Sequence, residues 1–318
     1  MAGSVPVRPA LALIVLSSAV YGQTGERLKS EADDRLKSLD ARILTEIARF
    51  SGTVSLYAKN LDTGESYGLR ENERVRTAST IKLPIMAAIF AAVHEGRAKW
   101  TDVLPVTESG KVSGSGVVRE LSTGLRLPIR DLVNLMIVIS DNTATNLLLD
   151  RFPGDYVNIM MDKLGLPQTR SLRMILGDGP IPKGIPHGLS EAGKVAENEK
   201  FGIGVSTPRE MVTLLEKIAK GEVVSAAESK DMLAILKRQQ YKDGIGRHLE
   251  ENSVASKSGS LDHLRSDVGI VDSPGGRIAL AITCDDIPVI DYSPDNLGDI
   301  EIWRLTRILL DGLGAGKK

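Results

Sequence analysis

Between Glu26 and Phe50 the chain is rich in charge, and its apolar residues Leu36, Leu39, Ile43 and Ile47 recur at helical spacing. That pattern predicts an amphipathic helix with one buried face. The period then changes. Gly52 to Ala58 is dense in β-forming residues, Asn60 to Gly64 is turn chemistry, and Glu65 to Leu69 can return, so a hairpin is expected. The far end has the same character: Ser266 to Asp272 and Arg277 to Cys284 read as strands around the turn Ser273-Pro-Gly-Gly276, and Asp299 to Leu310 reads as a helix. The middle differs. Leu132, Leu135, Met136 and Ile139 repeat at i, i+3, i+4 and i+7, the signature of a helix. Thr207-Pro-Arg-Glu210 is a capping box with proline at the first helical position, opening a helix that runs to about Lys220.

Together these patterns predict an α/β protein of the α+β type. An antiparallel sheet is built from both termini and flanked by helices, with an all-helical domain inserted into it. Residues 23–78 and 222–318 are assigned to the α/β domain and 79–221 to the mostly helical one, with a cleft expected between them. The first 22 residues read as a removable signal peptide: Arg8, the apolar run Pro9 to Leu16, then small residues from Ser17 to Gly22. The run is too short for a transmembrane helix, and no cysteine follows it to carry a lipid. A periplasmic or secreted protein without a stable membrane anchor is therefore expected.

Composition narrows the partners. The 318 residues are 42% hydrophobic and 25% charged, with a formal net charge of −1 and a pI near 6.5. Such a balance supplies no basic field for nucleic acid. One cysteine, Cys284, excludes an internal disulfide and reads as a buried thiol in an apolar strand. Four scattered histidines give no metal-ligand grouping, so neither a metal nor a cofactor is expected. A monomer acting on a small molecule is the expectation.

Candidate chemistry begins at Ser79-Thr-Ile-Lys82. On a helical or 3₁₀ turn, residues i and i+3 share a face, so the Lys82 amine can reach the Ser79 hydroxyl. A serine hydroxyl is a weak nucleophile until a base takes its proton, and lysine can do so when burial or a second cation lowers its pKa. Lys257 can be that cation. Pro84 would break a regular helix starting at Ser79, so a 3₁₀ first turn leading into an α-helix is expected. Ser140-Asp141-Asn142 follows one apolar helix and precedes another, which puts it on a tight interhelical turn. Lys257-Ser258-Gly259 lies on the strand-like segment Val254 to Ser260, where glycine would let a ligand approach the edge.

At these three places, in this order, the chain resembles the class A β-lactamases and related penicillin-binding proteins, whose set is S-x-x-K, S-D-N and K-T-G. Serine replaces threonine in the third. The resemblance implies that Ser79 is acylated, that Lys82 assists proton removal and that Ser140 relays a proton to the leaving nitrogen. It implies that Asn142 faces Lys82 and the substrate amide, while Asp141 shapes the turn. Lys257 and Ser258 would meet the substrate carboxylate, beside Gly259, and the N–H groups of Ser79 and Ser260 would form an oxyanion hole. Arg265 would add a second positive charge. The implied partner is a β-lactam or a cell-wall peptide.

One family feature is missing. Class A β-lactamases carry a Glu-x-x-Leu-Asn loop string whose glutamate positions the deacylating water, and no such string occurs here. In the register of Thr169-Arg-Ser-Leu-Arg173-Met-Ile175, the isoleucine takes the glutamate's place. Asp178, Glu191, Glu197 and Glu199 are candidates to fold back and supply a carboxylate. A β-lactamase, a D-Ala-D-Ala peptidase and a non-turnover sensor of penicillins remain open on sequence. The Ser113-Gly-Ser-Gly116 tip is expected at the cleft mouth, and His263 is the histidine closest to the Lys257 strand.

Overall fold

The computed structural model describes residues 34–177 and 188–314. The signal-peptide assignment on residues 1–22 and the candidate carboxylate of Asp178 lie outside the described residues.

A five-stranded antiparallel sheet forms the centre of the fold. Its strands are β1 (Thr53–Asn60), β2 (Ser66–Leu69), β8 (Val254–Leu261), β9 (Leu264–Ser273) and β10 (Gly276–Asp285), in the spatial order β2-β1-β10-β9-β8. The N-terminal hairpin is therefore zipped onto the C-terminal meander, with Thr53 opposite Asp285 and Asn60 opposite Ile278. β1 pairs with β10 and not with a sequence neighbour beyond β2, so the sheet exists only when both ends of the chain come together.

Each face buries a separate apolar layer. One face presents Val54, Leu56, Leu280 and Ile282 to helix α1, described over 34–47, and to α8 (Leu297–Gly314). From α1, Leu39 and Ile43 are fully buried there, with Leu36 and Ile47 at the margin, so the predicted stripe is the packed one. Cys284 lies in this layer as a buried free thiol, pushed well above its ordinary pKa by burial and by Glu301, Asp299 and Asp285 nearby. The opposite face presents Tyr57, Val268, Ala279 and Ala281 to the helical side of the molecule.

At the centre of that side is α2 (Lys82–His94), whose sequence is apolar on every face and which is buried along nearly all its length. Around it lie α3 (Ile129–Val138), α4 (Asn142–Arg151), α5 (Gly154–Lys163), α6 (Pro208–Lys220) and α7 (Ala226–Lys237). Thr207 caps α6 by accepting from the Glu210 N–H, as the sequence predicts. The Glu210 carboxylate does not complete a capping box. It accepts instead from Gln168 N–H and the Thr169 hydroxyl, tying α6 to the segment after α5. α6, counted with the helical insertion on sequence, also packs against the sheet.

Two small ladders complete the frame. β3 (Val75–Arg76) and β6 (Arg170–Ser171) flank β7 (Gly204–Ser206), and β4 (Val103–Pro105) pairs with β5 (Arg126–Pro128). The first ladder brings the chain just before Ser79 against the segment that carries Ile175.

Candidate active site

Ser79 is the second residue of a 3₁₀ turn, Ala78–Ile81, which passes directly into α2 at Lys82. Pro84 thus sits in the first turn of the α-helix, where its missing N–H is harmless. Ala78 precedes Ser79 at φ +45° and Ser140 stands at φ +54°, two strained non-glycine residues flanking one site. Ser79 and Ser140 line a cleft of about 1160 Å³, with Asn142, Ser258, Gly259 and Ser260 also on its walls.

Lys82 is fully buried beneath it. Its Nζ is 2.6 Å from the Ser140 carbonyl oxygen, 3.1 Å from Ser140 Oγ and 2.9 Å from Asn142 Oδ1. Burial holds its pKa well below the ordinary value, the charge of Lys257 lowers it further, and Asp141 opposes both. A neutral amine in this position has a lone pair available for a hydroxyl proton. Lys257 is also fully buried, and burial brings its pKa to about 7 against the raising effect of Asp267. Its Nζ donates to the Ser258 carbonyl oxygen at 2.6 Å. It lies behind the cleft-facing edge of β8, under Ser258, and acts on the cleft through its field.

The Ser-Asp-Asn turn is built around Asp141. Its carboxylate caps α4 by accepting from Ala144 N–H at 2.8 Å and reaches back to accept from Val117 and Val118 N–H at 2.6 and 2.9 Å. Gly116 adopts φ +108°, and a Cβ there would fall 2.2 Å from the Asp141 carboxylate, so only glycine lets the 113–116 tip close on the turn. Asn142 then faces Lys82 with its oxygen and donates its amide to the Ser113 carbonyl at 3.0 Å. Gly114 and Ser115 of this tip reach the cleft, as expected.

β8 closes the other wall. A Cβ on Gly259 would stand 2.8 Å from both Ser79 N and Thr77 O and 3.0 Å from Thr80 N, so glycine allows the strand edge to lie against the nucleophile's turn. The Ser79 N–H, at the start of that turn, has no intrahelical acceptor. Ser79 and Ser260 both line the cleft beside this contact.

Two expectations need correction. Arg265 is not free to meet a substrate carboxylate. Its side chain is 2% exposed and four of its N–H groups are committed: to the Asp299 carboxylate at 3.1 Å, to the Leu261 and Leu264 carbonyls at 2.7 Å each, and to the Asp291 carbonyl. The Tyr292 ring covers it at 4.9 Å. It braces the loops at one end of the cleft, and its charge is answered by Asp299. The second correction concerns the deacylating carboxylate. Glu191 is exposed and paired with Lys194, while Glu197 and Glu199 are exposed on the 3₁₀ segment Ala196–Phe201, and none of the three lines the cleft.

Ile175 does line it. Asn146, four residues after Asn142 and on the same side of α4, clasps the Ile175 backbone: its Nδ2 donates to Ile175 O at 2.8 Å and its Oδ1 accepts from Ile175 N–H at 2.9 Å. Sequence reasoning missed Asn146, although its i+4 spacing from Asn142 was a usable signal. The clasp fixes Ile175 at the cleft wall. His263 borders the cleft mouth with Nδ1 2.7 Å from the Ile287 carbonyl oxygen. Among the described residues no group of His, Cys, Asp and Glu side chains is arranged to hold a metal.

A split antiparallel sheet beside a helical layer, with a serine, two buried lysines and a Ser-Asp-Asn turn at their junction, defines a penicillin-recognising serine hydrolase fold. Comparison with known proteins agrees: residues 37–313 match the beta-lactamase enzyme family, and the chain belongs to it as a serine β-lactamase-like hydrolase. It is 27% identical over 251 residues to a beta-lactamase of Rhodobacter capsulatus, covering 78% of this chain and 80% of that protein. A beta-lactamase of Sphaerobacter thermophilus superposes with a TM-score of 0.74 at 30% identity, over 88% of this chain and 98% of that one. PBP-A superposes with a TM-score of 0.71 at 27% identity, over 86% and 95%.

Proposed function

We propose that this protein opens the amide of β-lactams through a Ser79 acyl-enzyme and releases the product slowly. The observation that carries the first half is the setting of Lys82: a fully buried amine with depressed pKa, at the next turn from Ser79 and in contact with Ser140 and Asn142. Lys82 takes the Ser79 proton as the Ser79 oxygen bonds to the lactam carbonyl carbon. The carbon–nitrogen bond then breaks, and the proton reaches the leaving nitrogen through Ser140. Ser79 and Ser260 N–H groups hold the developing oxyanion, and each such donor is commonly worth about 3 kcal/mol. Ser258, over the Lys257 charge, receives the substrate carboxylate.

The second half rests on Ile175. Hydrolysis of an acyl-enzyme needs a base to activate water, and an isoleucine side chain occupies the wall where the family's glutamate is expected. On the N-terminal leader pattern we assign the chain to the exported space. Among the described residues no helix is long and apolar enough to cross a membrane.

Benzylpenicillin and intact-protein mass spectrometry test both halves. A covalent adduct that is lost in Ser79→Ala, and that persists for many minutes in the parent, is the expected result. Ile175→Glu should shorten the adduct's lifetime by about 100-fold, the lower range for a positioned general base. An adduct absent from the parent would overturn the acylation assignment. Fast turnover in the parent would overturn the slow release.

A further inference from the structure

The cleft wall carries a cation that acylation does not use. Arg173 lies two residues before Ile175 and lines the cleft together with Ile175, Leu176 and Ile203. Its guanidinium makes no hydrogen bond or ion pair with any described residue, and its Nε is buried without an acceptor. The neighbouring arginines are committed elsewhere: Arg76 to Asp285, Arg170 to Asp162, and Arg74 to Asn198. Glu197 and Glu199, on the nearby 3₁₀ segment, do not pair with it. Nη2 approaches the Gly202 backbone, 3.9 Å from where a Cβ on that residue would stand, an ordinary contact distance.

A guanidinium drawn partly out of water with its donors unmet is an unfavourable arrangement unless a ligand completes it. Its planar fork of N–H groups matches a carboxylate in two-point contact. Position decides which carboxylate. The one attached to a lactam ring is addressed by Lys257 and Ser258 on β8. Arg173 stands on the loop wall with Ile175, which leaves that wall to the acyl part of the substrate in the acylation proposed above.

Building on the acylation reading above, we infer that Arg173 is a specificity-determining residue that selects substrates carrying a second carboxylate on the acyl side of the scissile amide. Both a penicillin with an acidic side chain and a cell-wall peptide with a free side-chain carboxylate have this chemistry. The contact is made in the encounter complex and persists in the acyl-enzyme, because the acyl group stays on Ser79.

Three penicillins that differ only at the side-chain α-carbon make the test: benzylpenicillin, its α-carboxy derivative and its α-amino derivative. Second-order acylation constants are measured for the parent, Arg173→Gln and Arg173→Lys, with thermal melting as a check on folding. In Arg173→Gln, acylation by the α-carboxy compound should fall about tenfold, the range of one charge-assisted contact. Benzylpenicillin should change less than twofold, the α-amino compound should gain, and Arg173→Lys should restore part of the preference. An equal loss with all three compounds would assign Arg173 to loop support and overturn the inference, and unchanged constants would overturn it as well. A parent that forms no Ser79 adduct at all would instead refute acylation itself, and this inference with it.

Discussion

Lys82 and Lys257 are coupled electrostatically, because burial pushes both amines toward the neutral form and the charge of Lys257 lowers the pKa of Lys82 further. In the proposed acylation the two amines need opposite states. Lys82 must be neutral to accept a proton, so acylation rises as pH climbs through its lowered pKa. Lys257 must be charged to attract a carboxylate, so acylation falls as pH climbs through about 7 in the free enzyme. The second-order acylation constant is therefore expected to rise and then fall with pH, with its falling limb near pH 7. Asp267, fully buried and itself pushed up to about 7 by desolvation, supports the charged form of Lys257. Removing its charge in Asp267→Asn should move the falling limb to lower pH. A limb that stays in place would show that Lys257 does not set it. The pair's existence was not legible in the sequence: Asp267 is ten residues past Lys257, and only the β8–β9 register, with Ser258 opposite Asp267, brings them together.

At the scale of elements, the site depends on an edge strand pressed against a helical turn. β8 can approach Ser79 only because position 259 has no side chain. Gly259→Ala places a methyl 2.8 Å from Ser79 N and Thr77 O, two backbone atoms with no flexible tail to move aside. The strand must shift, and a displacement of about 1 Å between reacting groups costs on the order of 100-fold in rate. Acylation should fall by that order while the melting temperature drops only a few degrees. Retention of parental acylation would show that the β8 edge takes no part in the oxyanion pocket. Element types were largely legible from sequence. Two strand-like runs around the turn Ser273-Pro-Gly-Gly276 marked the β9–β10 hairpin, helical spacing marked α3, and Pro84 marked the switch from 3₁₀ turn to α2. The committed state of Arg265 was not, because Asp299 and Asp291, whose groups hold it, come from α8 and the loop before it.

For the whole molecule, closure of the sheet by both chain ends places several acids in the interior under α8. Glu301 is buried with Oε1 unpartnered, and burial, with Glu46 adding to it and Arg304 opposing, raises its pKa from an ordinary 4.5 to about 7. A folded-state value above the unfolded one means the folded protein holds this proton more tightly. The resulting stabilisation is complete below pH 4.5 and is lost as pH rises to about 7. Glu301→Gln should therefore raise the melting temperature at pH 8 by about 2–4 °C, and the gap should close near pH 4.5. An equal gain at both values would show that ionisation is not the cause. The sequence by itself marked the candidate nucleophile, the lysine one turn on, the Ser-Asp-Asn turn, the lack of the family's loop glutamate string and the composition of the sheet from both termini. These follow from short-range spacing and periodicity, which are properties of the chain before it folds. Tertiary structure alone decided that Arg265 is spent on Asp299, that Asn146 pins Ile175 to the cleft wall, and that Arg173 lines the cleft with no counter-charge among the described residues. Whether a charge is free or answered is settled by groups far away in sequence and near in space.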